Sequence, residues 1–410
     1  MQDKILENLE YQIQFQEFKI NSLLEITAAI NTSQDIGHLL GIFNYILNQQ
    51  LSFSKIIFFH LEESAKVLLK TGVKGKINED LLFDNIKRFT EITTIDSSEN
   101  SIINQFETII PVFHAKKPLA YLLLSSDRFK KLTTKELLTN LSFIQTLANI
   151  TLVAIENKRM LAQNIKQARL KKELEFASEM QKLLFPSELP SNSKVDISAK
   201  YTSRHQIGGD YYDYIPLSEA EFIVCIGDVS GKGITAGMIM TNFQATIRTL
   251  FSYQDFELDF LIEELNKKVI SISKGEKFIT FFIAKYNHET RKLIYVNAGH
   301  NQPFITNGKD VHLLDKGTVG LGMFDDLPFL TVGTYTVAVN ETLVMYTDGI
   351  IELENEKNQF FELDQLIQLT NHYYPLKMED LNNIIFSKLL EWKGKRNFVD
   401  DTAIFTCRFF

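Results

Sequence analysis

Gly208-Gly209-Asp210-Tyr211-Tyr212-Asp213 and Gly227-Asp228-Val229-Ser230-Gly231-Lys232-Gly233 flank one apolar run, Glu221-Phe222-Ile223-Val224-Cys225-Ile226. The run is long enough for one strand and is bounded by turn residues, so the two clusters are expected to cap opposite ends of a short excursion. Taken singly, each cluster is an ordinary Gly-Asp turn. Two aspartates beside strand ends can also converge on a cation, and the choice between these readings depends on what the rest of the chain adds.

Two further acidic punctuations follow downstream. Thr347-Asp348-Gly349 comes directly after the apolar Leu343-Val344-Met345-Tyr346, and Asp400-Asp401 directly before Thr402-Ala403-Ile404-Phe405. Carboxylates repeatedly set where a buried strand meets its turn are costly to desolvate without partners, so they either face water or hold cations. The recurrence favours cations. Oxygen ligands without a His/Cys cluster point to Mg²⁺ or Mn²⁺ rather than zinc. Two such ions can activate a water and offset charge on phosphate oxygens, which is the chemistry of phosphate-ester hydrolysis.

Similar-looking motifs fail on detail. Gly231-Lys232-Gly233 is not a P-loop, because Gly233 stands where Ser or Thr is required and Ile226 where the first glycine belongs. The run from Gly231 to Gly237 misses the all-glycine dinucleotide fingerprint, with Ala236 at its third glycine position, and Asp228 beside it would repel a pyrophosphate. In Gly208-Gly209-Asp210, Tyr211-Tyr212 replaces the acidic residue of a cyclase signature.

Around this core, 410 residues predict two or three domains. Lys plus Arg number 43 against 51 Asp plus Glu, a formal charge of -8, which argues against nucleic acid as the main partner. The start lacks a signal-peptide pattern and no apolar run reaches membrane length, so a cytoplasmic location without a transmembrane segment is expected. Cys225 and Cys407 each lie in an apolar run and are expected as buried thiols. Residues 1–30 carry Leu6, Leu9, Ile13, Ile20, Leu23 and Ile30 at helical spacing, a seam that suits a homodimeric coiled coil or packing on its own domain. Strand-like runs at 55–60, 66–70, 106–113 and 119–125 predict a small antiparallel sheet. Thr133 and Glu136 form a candidate capping box opening a long helix, which Pro186 ends. From Val195 the pattern turns sheet-rich, with helices at 234–251 and 258–272 and strands at 278–286, 292–297, 331–339, 341–346 and 402–409.

The ordered set of Gly208 to Asp213, Gly227 to Gly233, Asn297-Ala298-Gly299-His300-Asn301, Tyr346-Thr347-Asp348-Gly349-Ile350 and Asp400-Asp401 resembles the bacterial PPM-type (type 2C-like) metal-dependent Ser/Thr protein phosphatases, within them the sporulation and stress-regulator subfamily. Glu179-Met180-Gln181-Lys182-Leu183-Leu184-Phe185-Pro186 resembles the helix end before the catalytic domain in that subfamily. Residues 20–157 resemble a GAF sensor domain in architecture. The resemblance implies an α+β chain in four parts: an N-terminal helix (1–20), a GAF-like α/β sensor domain (21–157), a helical connector (158–190) and an αββα sandwich phosphatase domain (191–410). It implies two Mn²⁺ or Mg²⁺ ions, with Asp228 bridging them, Asp210 and the Val229 carbonyl on one side, and Asp348 and Asp400 on the other. Asp401 is interchangeable with Asp400 at this point. Asp213 is either close behind the metal ligands or an ordinary turn residue, and His300 either a general acid or a packing residue. Gly237 and Ile351 stand where the family often has alanine and threonine, and neither removes an acid. The implied substrate is a phosphorylated anti-sigma-factor antagonist of the STAS type. The alternative is a non-catalytic signalling module that keeps the fold to bind a partner.

Overall fold

A computed structural model describes the chain except residues 1, 33–34, 62–64, 76, 96–101, 115–116, 127–133 and 254–256. The candidate capping residue Thr133 lies outside the described residues. The chain divides into two compact units, Met1–Ala168 and Arg169–Phe410.

The first unit begins with α1 (Gln2–Asn31) and α2 (Ile36–Tyr45), the latter capped by Asp35, whose side chain accepts from the His38 amide, and continued by one π-helical turn, Ile46–Gln50. Then come β1 (Lys55–Leu61), β2 (Ala65–Thr71), α3 (Glu79–Ile86), β3 (Thr93–Thr94), β4 (Thr108–His114) and β5 (Lys117–Ser125), and α4 (Thr134–Lys182) crosses the boundary between the units. The five strands form an antiparallel sheet in the order β2-β1-β5-β4-β3. Alternation along β1 splits its side chains between two cores. Phe58 packs with Phe43, Leu47, Leu122 and Leu147, while Ile57 and Phe59 pack with Leu82 and Ile86 of α3. Leu6, Leu9, Ile13 and Ile20 are exposed along α1, whereas Ile26 is buried.

The second unit comprises β6 (Val195–Thr202), β7 (Tyr211–Pro216), β8 (Glu221–Val229), α5 (Ile234–Tyr253), α6 (Leu258–Ser273), β9 (Ile279–Asn287), β10 (Lys292–Ala298), β11 (Phe304–Thr306), β12 (Val311–Leu313), β13 (Gly317–Thr318), β14 (Gly333–Thr336), β15 (Thr342–Tyr346), α7 (Asp348–Ile351), α8 (Leu363–His372), α9 (Met378–Lys393) and β16 (Thr402–Phe409). One sheet runs β13-β10-β9-β8-β7 with β14 also on β10, and the other runs β12-β11-β15-β16-β6. The run Phe222 to Ile226 is continuously apolar because β8 is covered on both faces. Phe222, Val224 and Ile226 meet Phe405, Cys407 and Met345 between the sheets, while Ile223 and Cys225 meet Met240, Phe243 and Leu261 from α5 and α6. On the far side of the other sheet, Val344, Tyr346 and Ile404 pack on Leu366, Leu381 and Ile385 from α8 and α9. Each large apolar side chain buried in these cores contributes about 1.5–3 kcal/mol. Cys225 and Cys407 are buried free thiols, as expected, and burial pushes both well above the usual thiol range.

Two expectations change. Tyr211 to Asp213 are strand, and β8 continues through Asp228 to Val229. The clusters therefore do not cap opposite ends of an excursion. β7 and β8 form a hairpin in which Tyr211 pairs with Gly227, so both clusters lie at its same open end. The sequence reading missed the second strand of that hairpin because Tyr211-Tyr212-Asp213-Tyr214 looks like turn chemistry. Helices α8 and α9 were also not anticipated.

Candidate functional site

The hairpin's open end places Asp210 immediately before β7 and Asp228 near the end of β8. Asp210 is buried, and its Oδ2 accepts a 2.8 Å hydrogen bond from the Thr347 hydroxyl. The same hydroxyl accepts from the Ala403 amide at 2.9 Å, so one side chain links Asp210 to both β15 and β16. Asp348 follows Thr347 as the first residue of α7, and Asp400 and Asp401 precede β16, which pairs antiparallel with β15. Residues about 190 positions apart in the chain thus meet across the two sheets, and Asp401 shows it directly. Its Oδ1 accepts from the Arg204 amide at 2.8 Å and its Oδ2 from the Gly209 amide at 2.7 Å.

A Cβ on Gly209 would lie 3.2 Å from the Val229 carbonyl oxygen and 3.5 Å from Asp228 Oδ1, so both of these acceptors face that glycine. At Gly208 a Cβ would come within 1.7 Å of the Tyr201 hydroxyl, which makes any larger residue there a clash. That hydroxyl is buried without a hydrogen-bond partner.

The charges crowd one another. Burial, then Asp228 and Asp401, hold Asp210 well above the usual carboxylate range, with the Thr347 hydrogen bond opposing. Asp228 is pushed up to about 7 by burial, then by Asp348 and Asp400, while a hydrogen bond with Asp210 pulls it down. Asp348 is raised to about 6 by burial, then by Asp400 and Glu352. Asp401 is raised by burial, against which the Arg204 and Gly209 amides act. Such a group stays fully ionised at neutral pH only when cations offset its charge; otherwise some of its members take up protons. Among the described residues, Lys232 contacts the cluster directly, its Nζ 2.6 Å from Asp400 Oδ2.

The donor chemistry fits hard divalent cations: carboxylates and a backbone carbonyl converge, with an unpartnered hydroxyl beside them. The arrangement is nevertheless open. Among the described residues no group of three or more His, Cys, Asp or Glu side chains is set to hold a metal ion as it stands.

Asp213 belongs elsewhere. It is fully buried on β7, where Arg248 of α5 donates to it twice at 2.7 Å, the Tyr211 hydroxyl donates at 2.7 Å and the Tyr214 amide at 2.8 Å. It is neither a turn residue nor part of the carboxylate cluster, but fastens α5 to the sheet. His300 is buried with both ring nitrogens engaged, Nδ1 with the Thr280 hydroxyl at 2.9 Å and Nε2 with the Tyr346 carbonyl at 3.1 Å. A carbonyl can only accept, so Nε2 carries the proton and Nδ1 accepts. Burial pushes the imidazole down to about 4, so the ring is neutral and ties β9 to β15.

Gln181, near the end of α4, is a functional contact that residue type alone does not reveal. Its Nε2 donates to the Gly208 carbonyl at 2.7 Å, and its Oε1 accepts from the Gly208 amide at 3.1 Å. The quoted segment Glu179 to Pro186 was the available signal, but nothing in it says which face of the helix reaches the loop. Thr347 was likewise visible only as a motif letter.

Residues 218–410 match the family model described as Stage II sporulation protein E (SpoIIE). The SiaA-PP2C domain of Pseudomonas aeruginosa superposes with a TM-score of 0.54 at 18% identity, covering 60% of this chain and 99% of that domain. The C-terminal unit has the PP2C-type phosphatase fold. In sequence, the chain is similar to phosphoserine phosphatase RsbU of Bacillus subtilis, 28% identical over 241 residues, 58% of this chain and 70% of that protein. It is also similar to protein IcfG of Synechocystis sp., 27% identical over 275 residues, 60% of this chain but 43% of IcfG, so it spans less than half of that relative. In sequence the PP2C-type unit is thus similar to the SpoIIE model and to RsbU. No helix of the described residues is long and apolar enough to cross a membrane.

Proposed function

We propose that the C-terminal unit is a metal-dependent protein phosphatase that hydrolyses phosphoserine or phosphothreonine through water activated at two Mn²⁺ or Mg²⁺ ions. The observation that carries this reading is the cluster of Asp210, Asp228, Asp348, Asp400 and Asp401, drawn together from both sheets, where Thr347 bonds Asp210 and the Gly209 amide bonds Asp401. When bound, the cations would supply a water of lowered pKa and positive charge for the phosphate oxygens. Asp228 would bridge them, Asp210 and the Val229 carbonyl would hold one, and Asp348 and Asp400 the other.

Hydrogen bonding separates the two adjacent acids. Both oxygens of Asp401 are engaged by backbone amides, so it orients the loop from Arg204 to Gly209. Asp400 is part-exposed, accepts the Asp401 amide through Oδ1 and offers Oδ2 to a cation, which supports it as the ligand. Thr347 fixes the rotamer of Asp210, and the neutral His300 holds the strands behind without exchanging protons.

The kinship to RsbU and SpoIIE supports a STAS-type phosphorylated antagonist of an anti-sigma factor as substrate, with the N-terminal unit as a GAF-like input. The exposed apolar residues of α1 support a homodimer through helices, and the composition supports a cytoplasmic protein. The test is Mn²⁺-dependent release of phosphate from a phosphoserine peptide, with Asp228→Asn expected to lower kcat/KM by at least about a hundredfold. Equal turnover by wild type and Asp228→Asn, or none by either, would leave the partner-binding module as the better reading.

A further inference from the structure

Lys232 is bracketed by Gly231 and Gly233, whose φ angles of +93° and +74° lie in the left-handed region that other residues rarely adopt. These glycines set the backbone so that the lysine reaches across to a different segment. Its ammonium contacts Asp400 Oδ2 at 2.6 Å and the Val399 carbonyl at 3.1 Å. The pair sits at the rim of the cluster, the side chains 40% and 31% exposed, so the lysine has a solvent side to move to. Two further cationic side chains lie nearby: Arg204 donates to the Val399 carbonyl, and Lys277 Nζ packs against Gly231, 2.6 Å from where a Cβ there would sit.

We propose that Lys232 is a tethered counter-ion that holds Asp400 until a divalent cation takes that carboxylate, after which its ammonium anchors the substrate phosphate. The inference rests on the phosphatase reading above. An ammonium and a dication on Asp400 Oδ2 draw on the same negative charge and repel each other, so each weakens the other's hold on that oxygen. Once displaced, the ammonium keeps a neutral carbonyl as partner beside a site that has gained positive charge. The dianionic phosphate of the substrate is then the group that best complements a flexible point charge at the rim.

The experiment measures Mn²⁺ binding by isothermal titration calorimetry on the full chain, for wild type, Lys232→Met, Lys232→Arg, Asp400→Asn and the Lys232→Met/Asp400→Asn pair. Lys232→Met should tighten the Mn²⁺ Kd by about fivefold, the ceiling set by an exposed ion pair. Lys232→Arg should not tighten it, and the gain should vanish in the Asp400→Asn background. In turnover of p-nitrophenyl phosphate at saturating Mn²⁺, Lys232→Met should raise KM by about tenfold with a smaller change in kcat, and Lys232→Arg should restore KM. Unchanged or weaker Mn²⁺ binding in Lys232→Met, tightening that persists without Asp400, or an unchanged KM would overturn the proposal. Failure of wild type to bind Mn²⁺ at all would instead remove the metal-centre reading on which it rests.

Discussion

Lowering the pH from 7.5 to 5.0 should remove most of what His300 contributes to stability. The buried imidazole is held neutral between the Thr280 hydroxyl and the Tyr346 carbonyl, and burial lowers it from 6.5 to about 4. The unfolded chain takes up a proton near pH 6.5 and the folded chain only near 4, so between these values the unfolded state binds more protons. The stabilisation is complete above pH 6.5 and is lost as the pH falls towards 4. The full gap corresponds to about 3 kcal/mol, and by pH 5.0 about 2 kcal/mol of it is gone. The raised carboxylates of the cluster act with the opposite sign, gaining protons in the folded state, so wild type alone would blur the effect. His300→Gln, whose amide can still donate to the Tyr346 carbonyl but does not titrate, cancels that background. Urea unfolding followed by the fluorescence of Trp392 reads the correct unit, because this is the chain's single tryptophan and its indole donates to the Leu353 carbonyl. The stability difference between wild type and His300→Gln should shrink by about 2 kcal/mol between pH 7.5 and 5.0. A difference that stays constant across that range would refute the neutral, doubly bonded histidine.

Breaking the Asp213 anchor should be costly although one partner is half-exposed. Arg248→Met leaves a fully buried carboxylate with only its tyrosine hydroxyl and one amide, and unfolding monitored at Trp392 should show a loss of about 2–3 kcal/mol. Asp213→Asn added to Arg248→Met should recover part of it, since the buried charge is gone. The adjacent acids should separate by readout. Asp401→Asn should lower stability by about 1–2 kcal/mol, because one of its two amide acceptors becomes a donor, while Asp400→Asn should leave the urea midpoint nearly unchanged and weaken Mn²⁺ binding in calorimetry.

Part of this arrangement is legible in one dimension. The continuous apolar run from Phe222 to Ile226 announces a strand covered on both faces, and the helical spacing of Leu258, Leu261, Ile262 and Leu265 announces a helix laid on it. Both follow from periodicity, which is a local property of the chain. Tyr211 to Tyr214 was misread because aromatic residues beside Asp and Gly suit a turn or a strand equally. Only the pairing of Tyr211 with Gly227 decides between them. Asp213 and His300 were ambiguous for a related reason: a buried polar residue is defined by its partners, and Arg248 and Tyr346 are distant in the chain.

The sequence by itself determined which acids could matter. The Gly-Asp punctuation at Asp210, Asp228, Asp348 and Asp400-Asp401 is written in residue type and order, and carboxylates at strand ends carry their chemistry wherever they fold. The tertiary structure alone decided which partners their oxygens meet. Sheet pairing sets Asp401 on two backbone amides and leaves Asp400 to an ammonium, and it puts both Gly/Asp clusters at one end of a hairpin. Two adjacent aspartates are chemically identical until the fold assigns different partners to their oxygens, and hydrogen-bond partners are a property of position in space rather than in sequence.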